Sequence, residues 1–240
     1  VKRGTILIAQ ADGGHVDGYF AHTLAGAEQR AAGRVIGRIR EVGGPMIADH
    51  RNHLVARFLT TDTEWMWMVD TDMVFQPDTL TRLLDVAHWK DKPIVGALTF
   101  GANRLGTVIY PTLYWWQEDG IARGDHLPLR DLDVIEVDAT GAACLLIHRS
   151  VLEKLVSEYP PPKGPFEFTW RDTDQGPGRI GEDITFCLRA KLAGFPIHVD
   201  CTNVVGHMKP VMLDLDYYEK EMVWRQLSTQ SPSTEAPTIS

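Results

Sequence analysis

The chain has 240 residues, with 24 Lys and Arg against 32 Asp and Glu and 44% hydrophobic residues. That length suits one large domain or two small ones with a sizeable core, and a formal charge of −8 argues against a protein held on DNA by phosphate neutralisation alone. No stretch approaches the roughly 18 uninterrupted apolar residues of a membrane span, and the opening VKRGTILIAQADGG is too short in apolar residues for a signal-peptide core.

Thr5 to Ala9 reads as a short buried strand ending at Gln10-Ala11-Asp12-Gly13-Gly14, followed by a helix over Tyr19 to Arg30. Arg34 to Ile39, with β-branched Val35, Ile36 and Ile39, suits a second strand. Apolar residues at 47, 54, 55, 58 and 59 recur at helical spacing and predict a helix from Ile47 to Leu59. Glu64 to Val69 (EWMWMV) is an almost continuous apolar run, the mark of a strand buried on both faces. It stops at Asp70-Thr71-Asp72, and a helix is expected from Pro77, with Leu80, Leu83, Leu84 and Ala87 on one face.

Pro93 to Leu98 is another strand; Val108 to Trp116, Val134 to Val137 and Ala143 to Ile147 look extended, and a helix follows with Val151, Leu152, Leu155 and Val156 inward. Residues 159 to 181, rich in Pro, Gly and aromatics, predict a long functional loop. Glu182 to Leu192 is a helix stopped by Gly194 and Pro196, Ile197 to Val199 a last strand and Leu213 to Gln226 a last helix. The tail 228–240 is Ser/Thr/Pro-rich and expected to be disordered, leaving one domain over 1–227. Strands alternating with helices imply an α/β fold whose sheet is mostly parallel at first and mixed in the middle.

Several chemistries drop out. There is no P-loop, no G-x-G-x-x-G after the first strand, no H-E-x-x-H and no G-x-S-x-G. Cys144, Cys187 and Cys201 form no C-x-x-C pair, which excludes a cysteine zinc site and a disulfide framework and fits a soluble, cytoplasmic protein. His50 and His53 lie three apart on a predicted helix, where two surface histidines are the simpler account.

Asp70-Thr71-Asp72 stands out by context. The chain has four D-x-D triplets, and only this one directly follows a fully apolar strand and shortly precedes a helix, at the carboxyl edge where α/β sheets bind ligands. Side chains at i and i+2 on an extended backbone point the same way. Two converging carboxylates favour a cation between them, and oxygen ligands favour a hard ion such as Mg²⁺ or Mn²⁺. A strand-end turn with helix-capping aspartates is the plainer alternative. Glu182 and Asp183 open a helix, where they serve either as macrodipole partners or as a carboxylate able to accept a proton from a hydroxyl. His207, with Lys209 two residues on, follows the last strand and is either an ordinary structural histidine or a metal ligand beside a phosphate contact.

In this order, the segments RNHLVARFL from Arg51, EWMWMVDTDMVFQPDTLTRLL, VDATGAACLLIHRSVLEKL, GEDITFCLRAKLAGFPI and VVGHMK resemble the GT-A-fold glycosyltransferases, particularly the family-2-like group, over roughly residues 4 to 210. The resemblance implies a single Rossmann-like domain with a central mixed sheet and a nucleoside-diphosphate sugar, UDP- or GDP-linked, as donor. It implies that Asp70 and Asp72, with Thr71 between them, meet the ribose and the metal, with His207 as a third ligand and Lys209 on the diphosphate. Arg51 would lie near the nucleotide, Ala9 and Gln10 would line the base pocket, and Gly141 and Ala142 would lie beside the donor sugar. Asp183 would be the base of an inverting reaction, with Glu182 supporting it or binding acceptor. The sequence departs from the family in having no clear acidic residue after the second strand to grip a uracil base; Glu41 is a candidate, and the nucleotide stays open. The acceptor, whether glycan, protein or modified nucleobase, is left open.

Two other functions stay in view. A sugar nucleotidyltransferase needs a Gly-rich phosphate loop with a basic residue after the first strand, and Asp12-Gly13-Gly14 has no such residue. An inactive GT-A-like binding module would not need Asp70, Asp72, Asp183 and His207 together. Phe166, Phe168 and Trp170 of the long loop, and Trp115 and Trp116, are candidates for covering the site or stacking on an acceptor sugar, with ordinary packing the alternative.

Overall fold

In the computed structural model, residues 1–43, 46–102, 108–117, 120–124, 127–173, 176–210, 215, 217–219 and 222 are described. The chain divides into two units, Val1–Met208 and Lys209–Ser240. In chain order the first unit runs β1 (Lys2–Asp12), α1 (Gly18–Arg30), β2 (Val35–Val42), α2 (Ile47–Leu59), β3 (Thr63–Asp70), β4 (Met73–Val74), α3 (Thr79–Val86), β5 (Ile94–Leu98), β6 (Phe100–Ala102), β7 (Ile109–Pro111), β8 (Leu113–Gln117) and β9 (Gly120–Arg123). It continues with β10 (Val134–Val137), β11 (Ala139–Thr140), β12 (Cys144–His148), α4 (Arg149–Glu158), β13 (Thr169–Thr173), β14 (Gly176–Ile180), α5 (Glu182–Leu192), β15 (Ile197–Val204) and β16 (Gly206–His207). In the second unit residues 215, 217–219 and 222 are helical, inside the expected last helix; the rest of that helix and the tail 228–240 lie outside the described residues.

Seven strands form the central sheet in the order β10-β15-β5-β12-β3-β1-β2. β1 is parallel to both β2 and β3, and β15 to β5, while β12 runs antiparallel to β3 and β5 and β10 antiparallel to β15. The sheet is thus parallel in its first half and mixed after it, as the alternation of elements predicts. β3 is central, and its run from Trp65 to Val69 is buried because helices cover both faces. Alternate residues feed two cores: Met66 and Met68 pack with Leu54, Val55 and Phe58 of α2 and Leu152 of α4, whereas Trp65, Trp67 and Val69 pack with Phe20 and Leu24 of α1 and Leu80 of α3.

The structure corrects several boundaries. β1 continues through Gln10, Ala11 and Asp12, and β15 continues five residues past Val199. α3 starts two residues after Pro77. The segment 108–116 is two strands, and the predicted loop 159–181 contains the β13–β14 hairpin, with Thr169 opposite Ile180 and Trp170 opposite Arg179.

Candidate functional site

β1, β2 and β3 run in parallel and end side by side at Asp12, Val42 and Asp70, so their carboxyl ends form one edge of the sheet. α2 presents Arg51 to this edge from its buried face, and the first turn of α5 brings Glu182 and Asp183. Arg51 Nη2 donates to Asp70 Oδ1 and Oδ2 at 3.1 and 3.0 Å, and its Nη1 donates to Glu182 Oε1 at 2.6 Å. The guanidinium is 4% exposed and lies 5.9 Å from the centroid of the Phe166 ring. Burial opposes its charge, but Asp70, Glu182 and Asp183 around it raise its pKa above the ordinary value.

Burial pushes the carboxyls of Glu182 and Asp183 upward, against the pull of Arg51. Asp183 Oδ1 accepts from the Ile184 backbone N–H at 2.8 Å, and a Cβ added at Gly181 would meet that oxygen at 2.8 Å. A glycine at the N-cap of α5 is therefore what leaves room for the Asp183 carboxylate. Three carboxyl groups thus surround one guanidinium at this edge.

The second aspartate of the triplet turns to a different partner. The two-residue strands β16 and β4 pair antiparallel, with His207 opposite Met73, and Met208 N–H donates to Asp72 O at 2.9 Å. His207 Nδ1 lies 2.9 Å from the Phe100 carbonyl and Nε2 lies 3.0 Å from Asp72 Oδ2. A carbonyl only accepts, so Nδ1 carries the hydrogen and Nε2 faces the carboxylate. That contact is satisfied by a proton or by a cation held between the two, and a histidine oriented through its other nitrogen by a carbonyl is the usual arrangement of a metal ligand. Asp72 and His207 thus fit a divalent ion as two donors, leaving the remaining positions to ligand oxygens. No cluster of three or more possible metal-binding side chains occurs among the described residues.

The other sequence-predicted positions divide. Thr71 is buried; its hydroxyl donates to His15 O at 2.9 Å and its carbonyl accepts from Asp17 N–H at 3.0 Å, which ties the triplet to the start of α1. Ala9 and Ala142 are buried in the α2-side core, Gly141 is buried beside Thr112, and Gln10 is 7% exposed, so none of them offers an open surface. Lys209 begins the second unit. His50 is buried, with Nδ1 lacking a hydrogen-bond partner among the described residues, and His53 pairs with Glu41 at 3.1 Å. Glu41, Met46, Asp49, His50 and His53 line a cavity of about 260 Å³ beyond the end of β2. Phe166 is fully buried and stacks on Phe186 at 4.5 Å, so it belongs to the core and does not cover the site.

Sequence reasoning missed a network beside the triplet. Asp12, fully buried at the end of β1, accepts from the Arg40 guanidinium, from Gly14 N–H at 2.8 Å and from Thr71 Oγ at 3.4 Å. The signal was available: an acidic residue ending one strand and an arginine near the end of a parallel neighbour. It also missed Asn52, whose side chain donates to Phe166 O at 2.7 Å and accepts from Phe166 N–H at 3.0 Å, clamping the segment that supports Arg51. Nucleophilic cysteine chemistry is excluded by burial, which pushes the Cys144 and Cys187 thiols up to about 12 and Cys201 to about 11.

Residues 16–227 match the sequence model of a family described as glycosyltransferase like family 2. Among solved structures, that of GalNAc-T7 with UDP, GalNAc and Mn²⁺ is similar at 11% identity and a TM-score of 0.52, covering 86% of this chain and 44% of that one. The structure of S. aureus TarS 1–349 in complex with UDP-GlcNAc is similar at 10% identity and a TM-score of 0.51, covering 96% and 68%. The chain therefore spans less than half the length of the GalNAc-T7 chain. None of the curated proteins matches the sequence closely enough to count as a relative. At these identities the structural likeness establishes the fold, which is GT-A.

Proposed function

Since the chain belongs to the glycosyltransferase-like family 2, we propose that it moves a sugar from a nucleoside-diphosphate donor to an acceptor hydroxyl in a metal-dependent, inverting reaction. The observation that carries this reading is the shared guanidinium of Arg51, which holds Asp70 of the triplet and Glu182 of α5 on one group. Asp70 of the triplet and Glu182 at the head of α5 are thereby fixed at one edge of the sheet.

Asp72 and His207 would hold the divalent ion, Mn²⁺ or Mg²⁺, which when bound neutralises the diphosphate as it leaves. Asp70, positioned by Arg51, faces the donor ribose. The cavity bounded by Glu41 and His50 takes the base: a carboxylate can accept from a ring N–H, and the buried, unpartnered His50 nitrogen offers a further polar contact. That chemistry fits uracil or guanine, in keeping with a UDP- or GDP-sugar.

Asp183 accepts the proton from the attacking hydroxyl. A carboxyl raised by burial is a stronger base than an ordinary aspartate. Glu182, bound to Arg51, supports it and shapes the acceptor side. No helix among the described residues is long and apolar enough to cross a membrane. Three buried, unpaired cysteines fit a reducing compartment such as the cytoplasm.

The test is release of nucleoside diphosphate from UDP- and GDP-sugars with Mn²⁺, comparing wild type with Asp183→Asn. Turnover of one donor by the wild type and its loss in the variant, with donor binding retained, is the expected result. Equal turnover by both proteins would overturn the assignment of the base.

A further inference from the structure

A second cavity, about 420 Å³, lies between β8, the β13–β14 hairpin and one stripe of α5, outside the group of residues assigned above. We propose that it is an acceptor subsite that holds a pyranose ring of an oligosaccharide beyond the ring bearing the attacking hydroxyl. The proposal rests on the transferase function proposed above and adds to it the class of acceptor, a glycan of at least two rings.

The lining is chemically suited to a sugar. Trp170 on β13 is 68% exposed, an indole held in water with no core to fill. Trp116 of β8 and Tyr159 after α4 add two more aromatic rings. A pyranose has an apolar C–H face that packs on aromatic rings and a rim of hydroxyls that needs hydrogen-bonding partners. Polar groups occur among the apolar walls: Thr169 and Thr185, whose hydroxyls lie 2.8 Å apart, and Arg171. Trp116 Nε1–H is buried and finds no acceptor among the described residues, an unmet donor of the kind an incoming hydroxyl satisfies. None of the lining residues is acidic, so neutral and acidic sugars both fit.

Position ties the cavity to the reaction. Thr185, Leu188, Arg189 and Leu192 lie on one face of α5. Glu182 sits at the N-terminal end of that stripe, three residues or about 4.5 Å along the axis from Thr185. Thr185, which lines the cavity, therefore lies about one helical turn from Glu182. An acceptor whose hydroxyl reaches Asp183 has its next ring where the aromatic walls begin. The exposed Leu192 marks the far end of the stripe.

The experiment measures binding of mono-, di- and trisaccharides of glucose, galactose and N-acetylglucosamine by tryptophan fluorescence, for wild type, Trp170→Ala and Trp170→Tyr, with donor hydrolysis by the wild type run alongside. At least one di- or trisaccharide is expected to bind about five- to tenfold more tightly than its monosaccharide, with the preference lost in Trp170→Ala and largely kept in Trp170→Tyr, whose ring still stacks. Melting temperatures check that the variants fold. Absence of any chain-length preference, or its persistence in Trp170→Ala, would overturn the subsite. So would tight binding of alkyl glucosides that grows with alkyl length, which would mark the cavity as a seat for an apolar aglycone. Hydrolysis without chain-length preference removes the subsite alone; preference without hydrolysis of any donor removes the transferase function and leaves a glycan-binding cavity.

Discussion

Arg51 and Asp70 face each other in a two-pronged ion pair, Nη2 reaching both carboxylate oxygens at 3.0 and 3.1 Å. The other nitrogen of the same guanidinium binds Glu182, so one buried side chain from α2 joins the end of β3 to the head of α5. Replacing Arg51 with Met removes a partner that both carboxylates share. The expected loss of stability is about 3–5 kcal/mol, because charges are left buried without compensation. Arg51→Lys keeps a positive charge but cannot span both partners, and should lower kcat/KM by about 100-fold or more. Chemical denaturation and steady-state kinetics of the two variants check these values; wild-type stability in Arg51→Met would deny the pair its structural role.

Gly181 and Asp183 supply a second prediction. A methyl group at position 181 meets Asp183 Oδ1 at 2.8 Å, so the carboxylate must move. The far end of a side chain moves cheaply, and Gly181→Ala should change the melting temperature little. Turnover should fall by about tenfold or more with donor affinity unchanged, since a proton acceptor works only within hydrogen-bond reach. A parallel fall in donor affinity would mean that the glycine serves the nucleotide.

The pH dependence follows from Asp183. Burial raises its carboxyl pKa, with Arg51 opposing, so the acid limb of kcat/KM should have its midpoint above the ordinary aspartate value of about 4. Activity appears as pH rises through that raised pKa. The same shift has a stability consequence of opposite sense: the folded state binds this proton more tightly than the unfolded chain, so stability is lost as pH rises from the ordinary to the raised pKa. Asp183→Asn should accordingly be at least as stable as wild type at pH 7 while losing turnover, which thermal unfolding and kinetics on the same preparation measure.

Asp138 gives the reverse case. It is partly exposed; what burial it has opposes its charge, yet hydrogen bonds from Lys191 and from the Trp116 backbone N–H at 2.7 Å bring its pKa below the ordinary value. Its folded pKa is depressed, so its contribution is present above about pH 4 and lost as pH falls through the lower folded value. Asp138→Asn should cost about 1 kcal/mol at pH 7 and little at the acid end of that range. Unfolding at a series of pH values separates this from a pH-independent packing effect.

The sheet was legible because its constraints are local. EWMWMV reads as a strand buried on both faces, and the chain places Trp67 and Met68 in opposite cores, both at 0% exposure. The helix 47–59 and the helix 182–192 follow from apolar spacing and from Gly194. The β13–β14 hairpin escaped notice because GPFEFTWRDTDQGPGRI has no Asn-Gly turn, and its alternating run Phe166-Glu167-Phe168-Thr169-Trp170 lies among Pro and Gly residues that read as a loop. In the site, residue types were readable and partners were not. Arg51 and Glu182 are 131 positions apart, and His207 and Asp72 are 135 apart, joined through a bridge of two-residue strands too short to leave a pattern. Asp12 was passed over because a strand ending in Asp-Gly-Gly resembles a turn, while its partner Arg40 becomes visible only once β1 and β2 are known to be parallel neighbours.

The central claim, a metal-dependent nucleotide-sugar site at Asp72 and His207, is tested most directly by thermal stabilisation against nucleoside diphosphates and their sugars, with and without Mn²⁺. A rise in melting temperature that needs both the metal and one nucleotide, and that disappears in Asp72→Ala and in His207→Ala, is the predicted result. An equal rise in wild type and both variants, or no metal-dependent rise with any nucleotide, would contradict it.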